Sequence, residues 1–402
     1  MIHRLIMALL LQPIGESLNL GDAALGFMMT AYALCYGFGS PLVAYLADRV
    51  SRRNLLVVAL FLWSLCSIAT GMAIGFWTLL LSRIGLGIFS AGGMPASTSM
   101  LVDYYPLEKR ASAIGILTSG GGIGSLLAFL VWGAIAASYG WRWAFISAGI
   151  LGCIYALAFF LVAKEPPRGH SDKNSVKHSQ VGSFYSTLKY LWVVRSYRYL
   201  LLAVAFASTA MMGAGQWNAP FFIRFHGFTM MQVGITLAVL IGLLSTISIV
   251  GAGFIAEKLA VRDRRWYLWV PALGMLCAFP ASMLAYSSDS ATGAMIGLGI
   301  LGLTAPAFGG CGATVAQMLA PVSMRSTAGG LFASAMTLAG MGIGPQITGL
   351  LSDGLIAFYG DQSLRYGQMM VASCSIPAAV FFALSASHFK ADVDRLHRNT
   401  DH

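Results

Sequence analysis

The sequence predicts an all-α membrane protein built from two six-helix halves. Three observations predict it. First, 57% of the 402 residues are hydrophobic and 10% are charged, against roughly 25% charged in soluble domains. That excludes a water-soluble globule. It equally excludes a disordered chain, which needs low hydrophobicity and high charge. Second, the apolar residues fall in runs long enough to cross a hydrocarbon core about 30 Å thick as helices. Third, fragments of the first half recur in the second half in the same order.

The runs span 22–47, 54–74, 77–101, 111–138 and 143–163, then 199–223, 231–256, 267–286, 292–319, 327–352 and 366–388. A polar stretch over 164–197 separates the two groups. Ahead of them lies a short apolar piece, Leu5 to Leu11. A basic start before such a piece fits a secretory signal, but Gln12-Pro13-Ile14-Gly15-Glu16 offers no small-residue cleavage site. It reads instead as the second half of a first helix, apparently truncated, which completes two sets of six. The expected organisation is an N-terminal bundle over 1–163, a cytoplasmic central loop over 164–198, a C-terminal bundle over 199–388 and a cytoplasmic tail over 389–402.

Charge sets the expected orientation. The net charge is +10, and the basic residues sit in short loops, so they report topology rather than a nucleic-acid partner. With the N-terminus inside, one side collects Arg49, Arg52, Arg53, Lys109, Arg110, the central loop, Lys258, Arg262, Arg264, Arg265, Arg325 and the tail. The other side holds Arg142, Arg224 and Arg365. This asymmetry predicts cytoplasmic termini in a plasma (inner) membrane. The 46 glycines suit close packing of membrane helices. The six cysteines lie in apolar runs without a CxxC pair, which argues against disulfides or zinc. No triad, metal spacing or nucleotide motif stands out, so neither an enzyme nor a cofactor is expected.

The repeats are specific. Ala44-Tyr-Leu-Ala-Asp48-Arg49 matches Gly253-Phe-Ile-Ala-Glu257-Lys258, and Pro106-Leu-Glu-Lys-Arg110 matches Pro321-Val-Ser-Met-Arg325. Gly120-Gly-Gly-Ile-Gly124 matches Gly340-Met-Gly-Ile-Gly344. The glycine clusters lack a following Lys-Ser/Thr, so they read as packing and hinge sites rather than phosphate cradles. A spacing of roughly 210 to 220 positions implies two homologous halves, an architecture that can bind a solute at the interface of its repeats.

These residues resemble the major facilitator superfamily. Its loop between the second and third helices carries a Gly-xxx-Asp-Arg-x-Gly-Arg-Arg pattern, matched here by Ala44-xxx-Asp48-Arg49-x-Ser51-Arg52-Arg53 with both glycines replaced. Within the superfamily the chain resembles spinster-like transporters and shares several fragments with organic-anion transporters. The fragments are Arg83-Ile-Gly-Leu-Gly87, Asp103-Tyr-Tyr-Pro106, Gly140-Trp-Arg-Trp-Ala-Phe145, Glu165-Pro-Pro-Arg-Gly169, Arg265-Trp-Tyr-Leu-Trp-Val-Pro271 and Gly342-Ile-Gly-Pro345 with Leu351-Ser-Asp353. The resemblance implies a major facilitator fold and a secondary transporter working by alternating access. The expected substrate is an anionic organic solute or a lipid-like amphiphile. Membrane lipids are the expected surroundings and a monomer the expected state. Exchange of small organic anions, or a non-transporting relative that binds a ligand or partner, are the alternatives.

The resemblance also points to residues. Spinster-like proteins carry an Asp-Arg pair on the first helix, matched here by His3-Arg4, and an Arg and a Glu seven apart on the fourth, matched by Arg83 and Ser90. Both acids are replaced, which leaves His3 and Ser90 as the coupling candidates. Arg83 and Arg4 are the expected substrate anchors, because an intramembrane arginine without an acid calls for a cavity or an anionic partner. Gln216, Trp217 and Asn218 before Pro220, with Tyr32, Tyr36 and Gln317, are further expected lining residues. Asp48, Arg49, Arg52, Arg53, Glu257, Lys258, Arg110 and Arg325 form the expected conformational gate, and the acids are expected only at helix ends.

Overall fold

The structure is a computed structural model of the chain and describes residues 2–47, 49–91, 93–105, 107–166, 184–321 and 324–400. Regular structure among them is helical. In chain order the first helices are α1 (Ile2–Leu9), α2 (Leu11–Leu18), α3 (Asp22–Ala47), α4 (Arg52–Gly71), α5 (Phe76–Ser90), α6 (Gly93–Tyr104), α7 (Leu107–Tyr139) and α8 (Trp141–Val162). Then come α9 (Phe184–Val193), α10 (Arg195–Ser208), α11 (Asn218–His226), α12 (Met230–Leu237), α13 (Leu244–Ala260) and α14 (Trp266–Ser287). The last are α15 (Ala291–Thr304), α16 (Ala307–Met318), α17 (Arg325–Thr337), α18 (Gly344–Tyr359), α19 (Ser363–Ala372) and α20 (Ser375–Thr400). The solvent explains the uniformity: hydrocarbon offers no hydrogen bonds, so each segment must satisfy its own backbone.

Among the described residues, seven stretches are long and apolar enough to cross a membrane, or eight with the bent pair Leu11–Leu18 and Asp22–Ser40. One of them, Thr327–Arg395, has 69 residues, about 100 Å as a straight helix. It turns back at Gly360, where φ is +53°, and so supplies two crossings. The protein is an integral, multi-pass membrane protein. The run expected at 77–101 forms two helices, α5 and α6, rather than one.

The chain divides into two compact units, and the division departs from the expected one. The first unit is Met1–Val176 with Asn218–Ala238, and the second is Lys177–Trp217 with Val239–His402. Residues 218–238, expected in the C-terminal bundle, therefore belong to the first unit as α11 and α12. Packing explains part of this. A Cβ on Gly234 of α12 would lie 2.6 Å from the Phe129 carbonyl oxygen of α7. Only glycine lets those two backbones approach so closely.

The chain leaves the α-helical path at two of the three places where it changes unit, the third lying outside the described residues. Between α10 and α11 lie a π-helical turn, Thr209–Gly213, and a non-helical turn at Gln216 and Trp217. Between α12 and α13 lies a second π-helical turn, Ala238–Leu243. Such turns insert a residue into the helical ladder and frequently mark functional positions. A third, Leu338–Ile343, covers most of the second glycine cluster. There a Cβ on Gly340 would lie 2.8 Å from the Ser208 Cβ, so this cluster serves helix packing, as its sequence implied.

The second unit has its own core. Tyr197, Leu200 and Val204 of α10 pack among Phe382 and Phe389 of α20 and Leu268 of α14. Tyr197 Oη donates to the Ala328 carbonyl at 2.7 Å, which satisfies a buried hydroxyl. Most of the central loop lies outside the described residues. Its end is helical as α9, with Leu191 buried and Trp192 exposed.

Candidate functional site

The first polar cluster lies within the span of the first unit. Arg83 sits at the middle of α5 and is 2% exposed. Its Nη2 donates to Thr70 Oγ1 of α4 at 2.6 Å, and Thr70 in turn donates to Ser82 Oγ at 3.0 Å. The guanidinium lies 5.2 Å from the Phe145 ring centre, within cation–π range. Its Nε makes no hydrogen bond to the protein. No carboxylate pairs with it among the described residues. Its burial rules out snorkelling to an interface.

The seam between α3 and α5 continues this cluster. A Cβ on Gly87 would lie 2.6 Å from the Tyr32 carbonyl oxygen, so the glycine brings the helices together. Ser90 Oγ then donates to Tyr32 Oη at 3.3 Å, and Tyr32 stacks on Tyr36 with centroids 6.0 Å apart. The seam thus holds Arg83, Ser90, Tyr32 and Tyr36 on neighbouring turns. His3 and Arg4 begin α1, half-buried. The His3 ring meets Trp63 edge-on at 6.5 Å.

The second cluster lies at one end of the first unit. Ser51 caps α4 and donates to Glu165, whose carboxylate also accepts from the backbone amides of Arg52 and Arg53, each at 3.0 Å. Arg52, 3% exposed, donates to Asp103 at 2.6 Å and to Glu165 at 3.3 Å. Burial works against the Glu165 charge, but the bonds from Ser51, the Arg53 and Arg52 amides and the Arg52 side chain outweigh it. They hold its carboxyl at about 2. Arg53 lies over the Phe160 ring at 4.8 Å. Of the expected gate, Arg52 and Arg53 are engaged here, with partners that the gate assignment had left out. Asp48 and the Arg110 side chain lie outside the described residues. Glu257, Lys258 and Arg325 are exposed and make no ion pair among the described residues.

The third cluster was not anticipated. Asp22, at the start of α3 and 6% exposed, accepts two hydrogen bonds from Arg224 of α11, both 2.7 Å. Arg224 Nε also donates to Gln12, whose amide donates to Glu16 at 2.6 Å. The paired residues lie 202 positions apart. The one sequence signal was an arginine on the poorly basic side.

The expected lining residues of later spans divide. Trp217 is fully buried, and its Nε1 donates to the Pro345 carbonyl at 3.2 Å. Its ring and its single donor are spent on helix packing, which removes it from the lining set. Gln216 is half-buried and Asn218 buried, on opposite sides of the change of unit. Gln317 is exposed at the last turn of α16, near a helix end rather than mid-span. Asp353 was expected at a helix end but lies about 9 Å before the end of α18, because that helix runs on to Tyr359.

A multi-helix membrane protein with a buried arginine in an apolar helix and ion-pair clusters at helix ends has the make-up of a solute transporter. Comparison with known proteins agrees. The family model described as Major Facilitator Superfamily matches residues 1–345, and the chain belongs to that family. It is similar to a solved bacterial homologue of the human lysosomal transporter Spinster, inward-facing and unoccupied. The TM-score is 0.88 and the identity 26%, over 97% of this chain and 95% of that one. An MFS-type efflux pump of Mycolicibacterium smegmatis is 25% identical over 98% of this chain and 90% of its own length. The D-galactonate transporter of Escherichia coli is 34% identical over 39% of this chain and 36% of its own. The relatives are transporters, not enzymes.

Proposed function

We propose that the protein is a secondary transporter that moves an anionic organic solute by alternating access, with both termini on the cytoplasmic side. The observation that carries this reading is Arg83. It is a fixed positive charge, mid-helix in α5, buried, without a carboxylate partner among the described residues, and with a donor unspent. Burying an isolated charge is costly, and an anion gripped by two parallel hydrogen bonds would relieve that cost. The Tyr32, Tyr36 and Ser90 hydroxyls on the adjoining seam would add neutral contacts. Arg4 would add a second charge from α1. A sugar acid of the galactonate type and an amphiphile with a phosphate head share the anionic group this arginine would read.

Among the described residues no acid pairs with Arg83, which favours exchange of anions over proton symport. His3 is the remaining titratable candidate near this cluster.

The test is thermal melting of the purified protein against organic acids, sugar phosphates and lysolipids, with Arg83→Ala alongside. A true ligand raises apparent stability by mass action. Stabilisation of the wild type that vanishes in Arg83→Ala identifies the substrate class. Equal responses in both proteins would sink the reading and favour a non-transporting relative. The largest effect is expected here, a loss of about tenfold or more in affinity, the scale of a charge-assisted hydrogen bond.

A further inference from the structure

The second unit carries a basic groove that the transport reading does not use. It is a hollow of about 510 Å³ where the start of α10 meets the later part of α20. Arg195, Arg198 and Arg395 line it together with His388. All three arginines are exposed, and none pairs with a carboxylate among the described residues. Among the described residues Asp392 is the single acid in the lining, and its carboxylate is oriented toward the backbone of α10. Its Oδ2 accepts from the Ser196 amide at 2.8 Å and from Ser196 Oγ at 2.7 Å, which anchors the first turn of α10. Three guanidinium groups therefore face one hollow against a single carboxylate, which leaves the lining with an excess of positive charge.

Two further features say what kind of anion fits. Trp192 on the rim is 64% exposed and its neighbour Val193 63%. A large apolar ring beside arginines at the end of a spanning helix belongs at a membrane–water interface. In addition, a line of rings leads away from the groove along α10 and α20. His388 lies 5.4 Å from Tyr199, Tyr199 stacks on Phe381 at 6.3 Å, and Phe381 stacks on Phe206 at 5.7 Å. Tyr199 and Phe206 are two turns apart on α10, about 10 Å along its axis. A half-buried apolar track thus begins at the basic hollow and runs along the span.

We infer that this groove binds the phosphate headgroup of an anionic membrane lipid, with an acyl chain along the Tyr199–Phe381–Phe206 track. Arginine matches phosphate oxygens with two parallel hydrogen bonds, and basic pockets between membrane helices suit anionic headgroups. A free phosphate would use the arginines but leave the track and the exposed tryptophan without a role. A bound lipid would clamp the start of α10 to the end of α20.

The test is lipid binding by the full-length protein in neutral detergent, read by native mass spectrometry. The probes are dioleoylphosphatidylglycerol, dioleoylphosphatidylcholine and glycerol 1-phosphate. The wild type should hold phosphatidylglycerol at least about tenfold more tightly than phosphatidylcholine, a difference of about 1.4 kcal/mol. The triple variant Arg195→Gln, Arg198→Gln, Arg395→Gln should lose that preference, and the triple lysine variant should retain most of it. Melting in lipid-free detergent should match the wild type for both. Where the triple glutamine variant melts early, Arg198→Gln alone is read in the same way, with a smaller loss. Equal binding of the two lipids overturns the inference, as does an unchanged preference in the glutamine variants. Displacement of phosphatidylglycerol by equimolar glycerol 1-phosphate also overturns it, since that marks a soluble-anion site.

Discussion

The Arg52 and Arg224 clusters of the first unit each hold an arginine against an acid, yet they are built differently. At one, Arg52, Asp103 and Glu165 all come from the first 166 residues, and Ser51 and two backbone amides complete the network. At the other, Asp22 waits for Arg224 of α11, 202 positions later. The first network is redundant, because Glu165 receives four groups and Arg52 serves two acids. At the second, Arg224 meets Asp22 with two bonds and Gln12 with one. The difference teaches that the first behaves as a fixture of the fold and the second as a catch. A catch joins segments distant in sequence, so it can open without dismantling the bundle.

Mutation can break this comparison. Arg52→Ala removes the guanidinium that meets the buried Asp103 at 2.6 Å, and removal of one partner of a buried pair costs about 3–5 kcal/mol. The expected outcome is a sharp fall in melting temperature and little folded protein in detergent. Near-normal melting would place Arg52 outside the fixture class. Arg224→Ala is expected to cost less stability, because Arg224 is part-exposed, and to change transport rate instead. Restoration of that rate by the exchange Asp22→Arg with Arg224→Asp would show that the pair itself matters. Unchanged transport in Arg224→Ala would remove the catch.

The smallest expected effect is that of pH on the fixture. The Glu165 carboxyl sits at about 2 in the folded protein, below its ordinary value near 4.3. A depressed acid contributes stability that is fully present above the unfolded value and lost as pH falls through the folded one. The contribution should therefore be flat from neutral pH to about 4.5 and decline between about 4 and 2. Glu165→Gln should flatten that decline, as read by melting across the range. A wild-type loss already complete at pH 5 would contradict the geometry around Ser51 and Arg52.

The spans were readable in the sequence because hydrocarbon imposes one solution on the backbone, and run length reports it directly. Arg83 was readable for a related reason, since a charge inside an apolar run is rare enough to stand out. Asp22 and Arg224 were not readable as partners. Each looks like an ordinary residue at a helix end, and 202 positions separate them. The π-helical turns were also hidden, because Ala238–Leu243 is as apolar as the α-helix around it. Trp217 misled for a physical reason. A tryptophan between two amides resembles a cavity lining, and only the Pro345 carbonyl shows where its donor goes.

The passage of residues 218–238 into the first unit bears on how the protein is made. A membrane protein emerges from the ribosome in order, and its helices enter the bilayer before they find partners. The face of α7 that carries Phe129 and Gly133 has no α12 to receive until residue 238 has been synthesised. The first half is then not a finished object when the central loop appears. A gene cut in that loop should express a first half that keeps its Arg52 fixture but presents an unfilled groove on α7. Co-expression with the second half would supply the missing hairpin, so assembly from two pieces should proceed through α11 and α12 docking onto a bundle already in the membrane.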